Sequence, residues 1–133
     1  MPHHTIADDL VARILQGSSD LGIALNELHD LIWDGSDPNV LRALLSSGRE
    51  EIEIGAAWIL AEGSPQCAVL LDCALPMSIH SSKRLRAYAV DFIVNQRHLL
   101  TDDAKRAARQ LLEDADPDVR NYAIEMFAQS GIG

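Results

Sequence analysis

Apolar residues recur along the chain at intervals of three and four, and no bounded alternating run of β-branched residues suggests a strand. The spacing predicts about eight helices. Thr5 caps the first, with Asp8 and Asp9 in its opening turn, Ile6, Leu10 and Ile14 at helical spacing, and Gly17 at its end. The second runs from about Asp20 to Trp33 through Leu21, Leu25, Leu28 and Ile32 and stops at Gly35. Asp37-Pro38 supplies a cap and a first-turn proline for a short third helix with Val40, Leu44 and Leu45, closed by Gly48. The fourth covers about Arg49 to Glu62. Ser64-Pro65 opens a fifth, carrying Val69, Leu70 and Leu71 and ended by Pro76, after which Met77 to Ser82 reads as a connector. The sixth spans Lys83 to Asn95. Thr101-Asp102-Asp103 caps a seventh containing Ala104, Ala107, Ala108, Leu111 and Leu112, and Asp116-Pro117 opens an eighth that runs to Ser130.

The last helix has echoes. Val119, Ala123, Ile124 and Phe127 align with Leu85, Ala89, Val90 and Ile93, and those with Ile52, Ala56, Ala57 and Leu60, at offsets of 34 and 33 residues. Self-similarity at such a period is the signature of a stacked repeat array. The run Asp116-Pro117-Asp118-Val119-Arg120, followed by Ala123, Ile124, Phe127 and Ser130-Gly131, resembles the second helix of a HEAT repeat. Ile52, Ala56, Ala57, Leu60 and Gly63 give a second match, and Leu85-Arg86 with Ala89, Val90 and Ile93 a third. The resemblance covers residues 37–131. It implies an all-α, short right-handed α-solenoid: a single domain over 1–133, with an atypical capping pair at 1–36 and repeats at 37–63, 64–95 and 101–131. Such scaffolds carry many unrelated functions.

The register assigns faces. With Val119 as position zero and 100° per residue, positions +4, +7, +8 and +11 form the core stripe, and +5 and +9 widen it. The remaining arc holds Ile54/Ala87/Asn121, Gly55/Tyr88/Tyr122, Trp58/Asp91/Glu125 and Glu62/Asn95/Gln129. In HEAT-like stacks the second helices line the concave side, so the resemblance implies that these columns form that surface. Trp58, Tyr88 and Tyr122 are half of the six aromatic residues, and large stiff rings are favoured as interface anchors. They are equally suited to plugging gaps between repeats, and both readings stand. Candidate partner-binding residues are Trp58, Glu62, Tyr88, Asp91, Asn95, Tyr122 and Glu125. At the +1 column, Glu53/Arg86/Arg120, the family commonly ties an arginine to a turn carboxylate of the adjacent repeat, which implies structural roles for Arg86 and Arg120.

Charge narrows the choice of partner. The net charge of -9 argues against nucleic acid, because phosphate binding needs excess lysine and arginine. Residues 1–72 hold twelve carboxylates against three arginines, whereas residues 73–133 hold eight of each sign. The acidic first half serves ordinary solubility or forms a patch that steers a basic partner. Lys83, Arg84, Lys105, Arg106 and Arg109, balanced by Asp102, Asp103, Glu113 and Asp114, read as a solvated face. No apolar run reaches the ~18 residues of a membrane span, and the N-terminus lacks a signal pattern. Cys67 and Cys73, six apart in one expected helix, fall on nearly opposite faces and should not pair. Reduced thiols in the cytoplasm are the expectation.

Little points to chemistry. His3, His4, His29, His80 and His98 lack metal-ligand spacing, and His29-Asp30 occurs once, where HEAT-like iron enzymes use His-Glu pairs. No phosphate loop or nucleophile elbow is present, and no metal or cofactor is expected. A HEAT-like enzyme is the least supported alternative. The chain looks like the compact helical-repeat proteins encoded beside bacterial toxins. That resemblance implies a non-enzymatic immunity protein, monomeric or weakly dimeric, that neutralises a basic nuclease-type toxin through an acidic surface. A HEAT-like adaptor binding a peptide or larger complex is the other reading. The register itself is testable: Ala123→Asp should unfold the C-terminal repeat, because its charge would be buried unpaired, and an unchanged melting temperature would contradict the alignment.

Overall fold

The computed structural model describes residues 5–17 and 20–132, so His3 and His4 lie outside the described residues. The protein is all-α, with no strand among those residues. Its helices are α1 (Ile6–Gln16), α2 (Leu21–Trp33), α3 (Leu41–Leu45), α4 (Glu50–Ala61), α5 (Ala74–Ser78), α6 (Lys83–Asn95), α7 (Asp102–Leu112) and α8 (Pro117–Ser130), with 3-10 turns at Pro38–Val40, Pro65–Cys73 and Arg97–Leu99.

Local chemistry starts and stops most of these helices. The Thr5 and Asp8 side chains cap one another's backbone amides reciprocally, and Gly17 ends α1 at φ 72°. Asp20, Ser82, Thr101 and Asp116 accept from amides in the first turns of α2, α6, α7 and α8. Each satisfies a donor that the helix itself leaves open.

Two segments depart from the pattern. The third helix begins as a 3-10 turn and buries Leu41 and Leu44, leaving Val40 half-buried. The fifth is 3-10 from Pro65 to Cys73 and α-helical only over Ala74–Ser78, with Pro76 inside it rather than ending it. A proline is tolerated there because amides of a first turn have no intrahelical acceptor. The threefold period buries Cys67 and Leu70 and turns Val69 out to 56% exposure. It also places Cys67 and Cys73 on the same side, not on opposite faces. Six residues of 3-10 rise separate them by about 12 Å, too far to bridge, and both thiols are free.

Packing follows the repeat register. α4 packs against α2 and α6, and α6 against α8, while the 65–78 segment packs against α7. That neighbour order is compatible with a stack of helix pairs. Ala56, Ala89 and Ala123 are each fully buried, and their small side chains let successive helices approach closely. Ile52, Leu85 and Val119 lie above them and Leu60, Ile93 and Phe127 below, all buried. Ala57 and Val90 are completely covered by the following helix, but Ile124 is 49% exposed because α8 has no further helix over it among the described residues.

A polar ladder runs along the other edge of the core through the three +1 positions. Glu53 accepts from the Gly48 amide at 2.9 Å and faces His80 Nε2 at 2.8 Å. The Ser82 amide donates to His80 Nδ1 at 2.9 Å, so hydrogen bonding places the imidazole proton on Nε2, toward Glu53. The His80 carbonyl accepts from Arg86, whose Nε and Nη2 reach the Asp114 carboxylate at 2.8 and 3.2 Å. Arg120 closes the ladder, donating to the Asp114 backbone carbonyl at 3.0 Å rather than to a turn carboxylate. His80 is therefore a part-buried structural residue and not a simple surface or loop histidine.

One face position differs from the register. Gly55, expected on the open arc, is buried under Leu25 because α2 crosses α4 there, and an added Cβ would collide with the Leu25 methyls. Alanine is favoured over glycine in a helix by about 1 kcal/mol, but overpacking costs about 1–3 kcal/mol. Gly55→Ala should therefore lower the unfolding free energy in urea; a gain would contradict the close α2–α4 contact.

Candidate functional site

The open arc of α4, α6 and α8 brings most of the expected residues onto one surface. Trp58, Tyr88 and Tyr122 are half-buried, so each ring both packs and remains accessible. Trp58 stacks on His29 of α2, with ring centroids 5.2 Å apart and planes inclined by 24°. His29 Nδ1 lies 3.0 Å from Asp30 and its Nε2 lies 3.6 Å from Glu62. Trp33 adds a third ring, 6.2 Å from His29. His29 is thus held by α2, α4 and the Glu62 carboxylate, a placement its scattered position in the sequence did not suggest.

Asp91 forms the centre of the face. The Tyr122 hydroxyl donates to its Oδ1, linking α8 to α6. Partial burial pushes the Asp91 carboxyl above the usual range, the Tyr122 hydrogen bond opposes this, and the nearby Glu62 charge adds to it. Burial, then the bond to Asp91, raises the Tyr122 phenol. Among the described residues Asp91 and Glu125 have no cationic partner. Asp91 is consequently a half-desolvated carboxylate without a counter-ion, beside the exposed carboxylates Glu62 and Glu125.

Two grooves meet on this face. One, of about 520 Å³, lies between α6 and α8 and is lined by residues including Ala87, Tyr88, Asp91 and Tyr122. The other, of about 290 Å³, crosses α2, α4 and α6 past Asn26, Ile54 and Trp58, and shares Tyr88 and Arg84 with the first. The Arg84 guanidinium sits 5.8 Å from the centre of the Tyr88 ring. Lys83 is neutralised by Asp118 at 3.2 Å and Asp116 at 3.8 Å. Asn95 is drawn into packing: its amide donates to the Ala61 carbonyl at 2.6 Å, as Gln96 does to Ser64 at 3.0 Å.

Position −1 of the register, Glu51/Arg84/Asp118, was not among the expected columns. It lies at 260° on the same wheel, in the middle of the open arc, and the grooves confirm its place there. The signal was available one residue before the aligned block.

On the opposite flank Arg42 clamps Asp72 through two nitrogens at 2.7 and 3.0 Å. The Arg42 hydrogen bond holds the Asp72 carboxyl below the usual carboxylate range. Burial, reinforced by the Asp72 charge, pushes the neighbouring Cys73 thiol up, and burial raises Cys67 to about 11. Both thiols stay protonated near neutral pH, which suits packing better than nucleophilic attack. Among the described residues no three His, Cys, Asp or Glu side chains converge as metal ligands, and no helix is long and apolar enough to cross a membrane.

The chain matches no family model, no curated protein and no solved structure with which it was compared.

The raised Asp91 carboxyl has a signed consequence. Its folded-state pKa exceeds the unfolded one, so its favourable contribution is complete below the ordinary carboxylate pKa and is lost as pH rises through the raised value. Asp91→Asn keeps an acceptor for Tyr122 without the charge. Its melting temperature should match wild type near pH 3.5 and equal or exceed it at pH 7. A variant markedly less stable than wild type at pH 7 would contradict this assignment.

Proposed function

We propose that this protein is a non-enzymatic, HEAT-like binding module. Its open α4–α6–α8 face holds a basic protein partner, most concretely a nuclease-type toxin that it neutralises in the cytoplasm. The observation that carries the reading is the half-buried Asp91 carboxylate, which lacks a counter-ion and stands between Glu62 and Glu125 on an aromatic-lined groove. Desolvating a carboxylate without a partner costs free energy that a partner's guanidinium or ammonium group would recover. Tyr88, Tyr122 and Trp58 add flat surfaces for the aliphatic and planar parts of such side chains.

The charge of the whole chain supports the same choice. A net charge of -9 speeds encounter with a cationic protein, and nuclease-type toxins tend to be basic because their substrate is polyanionic. Both cysteines are free, in keeping with a reducing compartment. An adaptor that docks a peptide is the second reading, supported by the continuity of the two grooves through Tyr88. Association dominated by the rings and weakly dependent on salt would favour the adaptor.

Affinity capture from the native host, followed by association kinetics with the recovered protein, tests the proposal. Charge reversal at Asp91 and Glu125 should slow association by about tenfold or more at low salt, with a much smaller effect in 0.5 M salt. Reversal at Arg106 and Arg109, on the α7 surface, should leave the rate near wild type. Equal effects at the two places would remove the open face as the binding surface.

A further inference from the structure

A second cavity, away from the acidic face, has the opposite electrostatic character. It holds about 340 Å³ between α7, the turn after α6 and the residues that follow α8. Leu100, Leu112 and Ile132 give it an apolar lining, while Arg97, Lys105 and Arg109 line it with charge; no carboxylate lines it. Its size and its mostly apolar wall with a few polar groups are those of small-ligand sites.

The three cations are gathered without compensation. Lys105, Arg109 and Leu112 stand on one side of α7 at positions i, i+4 and i+7, so the two charges are neighbours that repel. Arg106, one residue from Lys105, is answered by Asp103 at 3.3 Å. Arg97 donates one nitrogen to the Val94 carbonyl at 3.1 Å. Among the described residues none of Arg97, Lys105 and Arg109 has a carboxylate within ion-pair distance. Acidic side chains are abundant in this chain, yet here they are directed elsewhere. The sequence reading of Lys105 and Arg109 as charge-balanced surface residues does not hold at this place.

We propose that this cavity binds a small amphiphilic carboxylate, with its head between Arg97, Lys105 and Arg109 and a short acyl chain against Leu100, Leu112 and Ile132. An anion there relieves the repulsion along α7 and gains charge-assisted hydrogen bonds, while the chain covers exposed aliphatic surface. The polar head and the apolar tail are both required, since neither the cations nor the lining alone is distinctive. This inference is independent of the partner proposed for the acidic face.

Decanoate, decanol and inorganic phosphate, titrated into the full chain and followed by amide NMR, distinguish the contributions. Decanoate should give saturable shifts confined to residues 97–112 and 131–132, with decanol and phosphate each binding more weakly. Lys105→Glu with Arg109→Glu should weaken decanoate by about tenfold or more, whereas Arg106→Glu should not. Both substituted residues are exposed, so the fold, checked by circular dichroism, should be retained. Absence of saturable shifts, equal binding of decanol or phosphate, or an unaffected double variant would each overturn the proposal.

Discussion

The ladder from Glu53 through His80, Arg86 and Asp114 to Arg120 is the constraint on which the rest of the structure depends. Apolar packing between α4, α6 and α8 tolerates small slides, because its central column is three alanines with little shape to interlock. Hydrogen bonds do not tolerate them. Arg86 must meet both Asp114 oxygens and the His80 carbonyl at once, and Glu53 must meet both the Gly48 amide and His80. With side chains only 16% and 6% exposed, Arg86 and Asp114 sit where losing either partner costs about 3–5 kcal/mol. The ladder therefore converts a loosely specified stack of small residues into one register.

Its position divides the carboxylates into two groups. The +1 column lies at 100° on the helical wheel, across the core stripe from the open arc at 240–300°. Glu53 and Asp114 are consumed on the ladder side, with no capacity left for a partner. Glu62, Asp91 and Glu125 stand on the other side, and Asp91 bears a desolvation cost there that the isolated fold does not recover. A charge that raises its own pKa while adding little to the fold is best accounted for by what it meets in a complex. Lys83 and Arg84 complicate the picture by giving the α6–α8 groove a basic end. Lys83 is already neutralised, and Arg84 is occupied with Tyr88.

Much of the fold was legible in the sequence because its signals are local. Thr5, Asp20, Ser82, Thr101 and Asp116 mark helix starts through their own side chains, and the alanine column repeats at nearly constant spacing. The 65–78 segment was misread because helical periodicity was assumed where Pro65 starts a threefold turn. Gly55 was placed on the open arc because a single-helix wheel cannot know that α2 crosses above it. His29 and His80 look isolated in sequence because their partners, Trp58, Glu62 and Glu53, come from other helices. Of the expected site, Asp91, Tyr88, Tyr122 and Trp58 share a surface, Asn95 is taken by packing, and Arg84 was missed only because the alignment began one residue too late.

The division of the carboxylates is the central claim, and equilibrium unfolding in urea at pH 7 tests it most directly. Neutralising the ladder with Glu53→Gln and Asp114→Asn should lower the unfolding free energy by about 3 kcal/mol or more. Neutralising the open face with Glu62→Gln and Glu125→Gln should leave it within about 0.5 kcal/mol of wild type. Comparable losses in the two variants would contradict the account, since the face carboxylates would then be holding the fold together and not standing free for a partner.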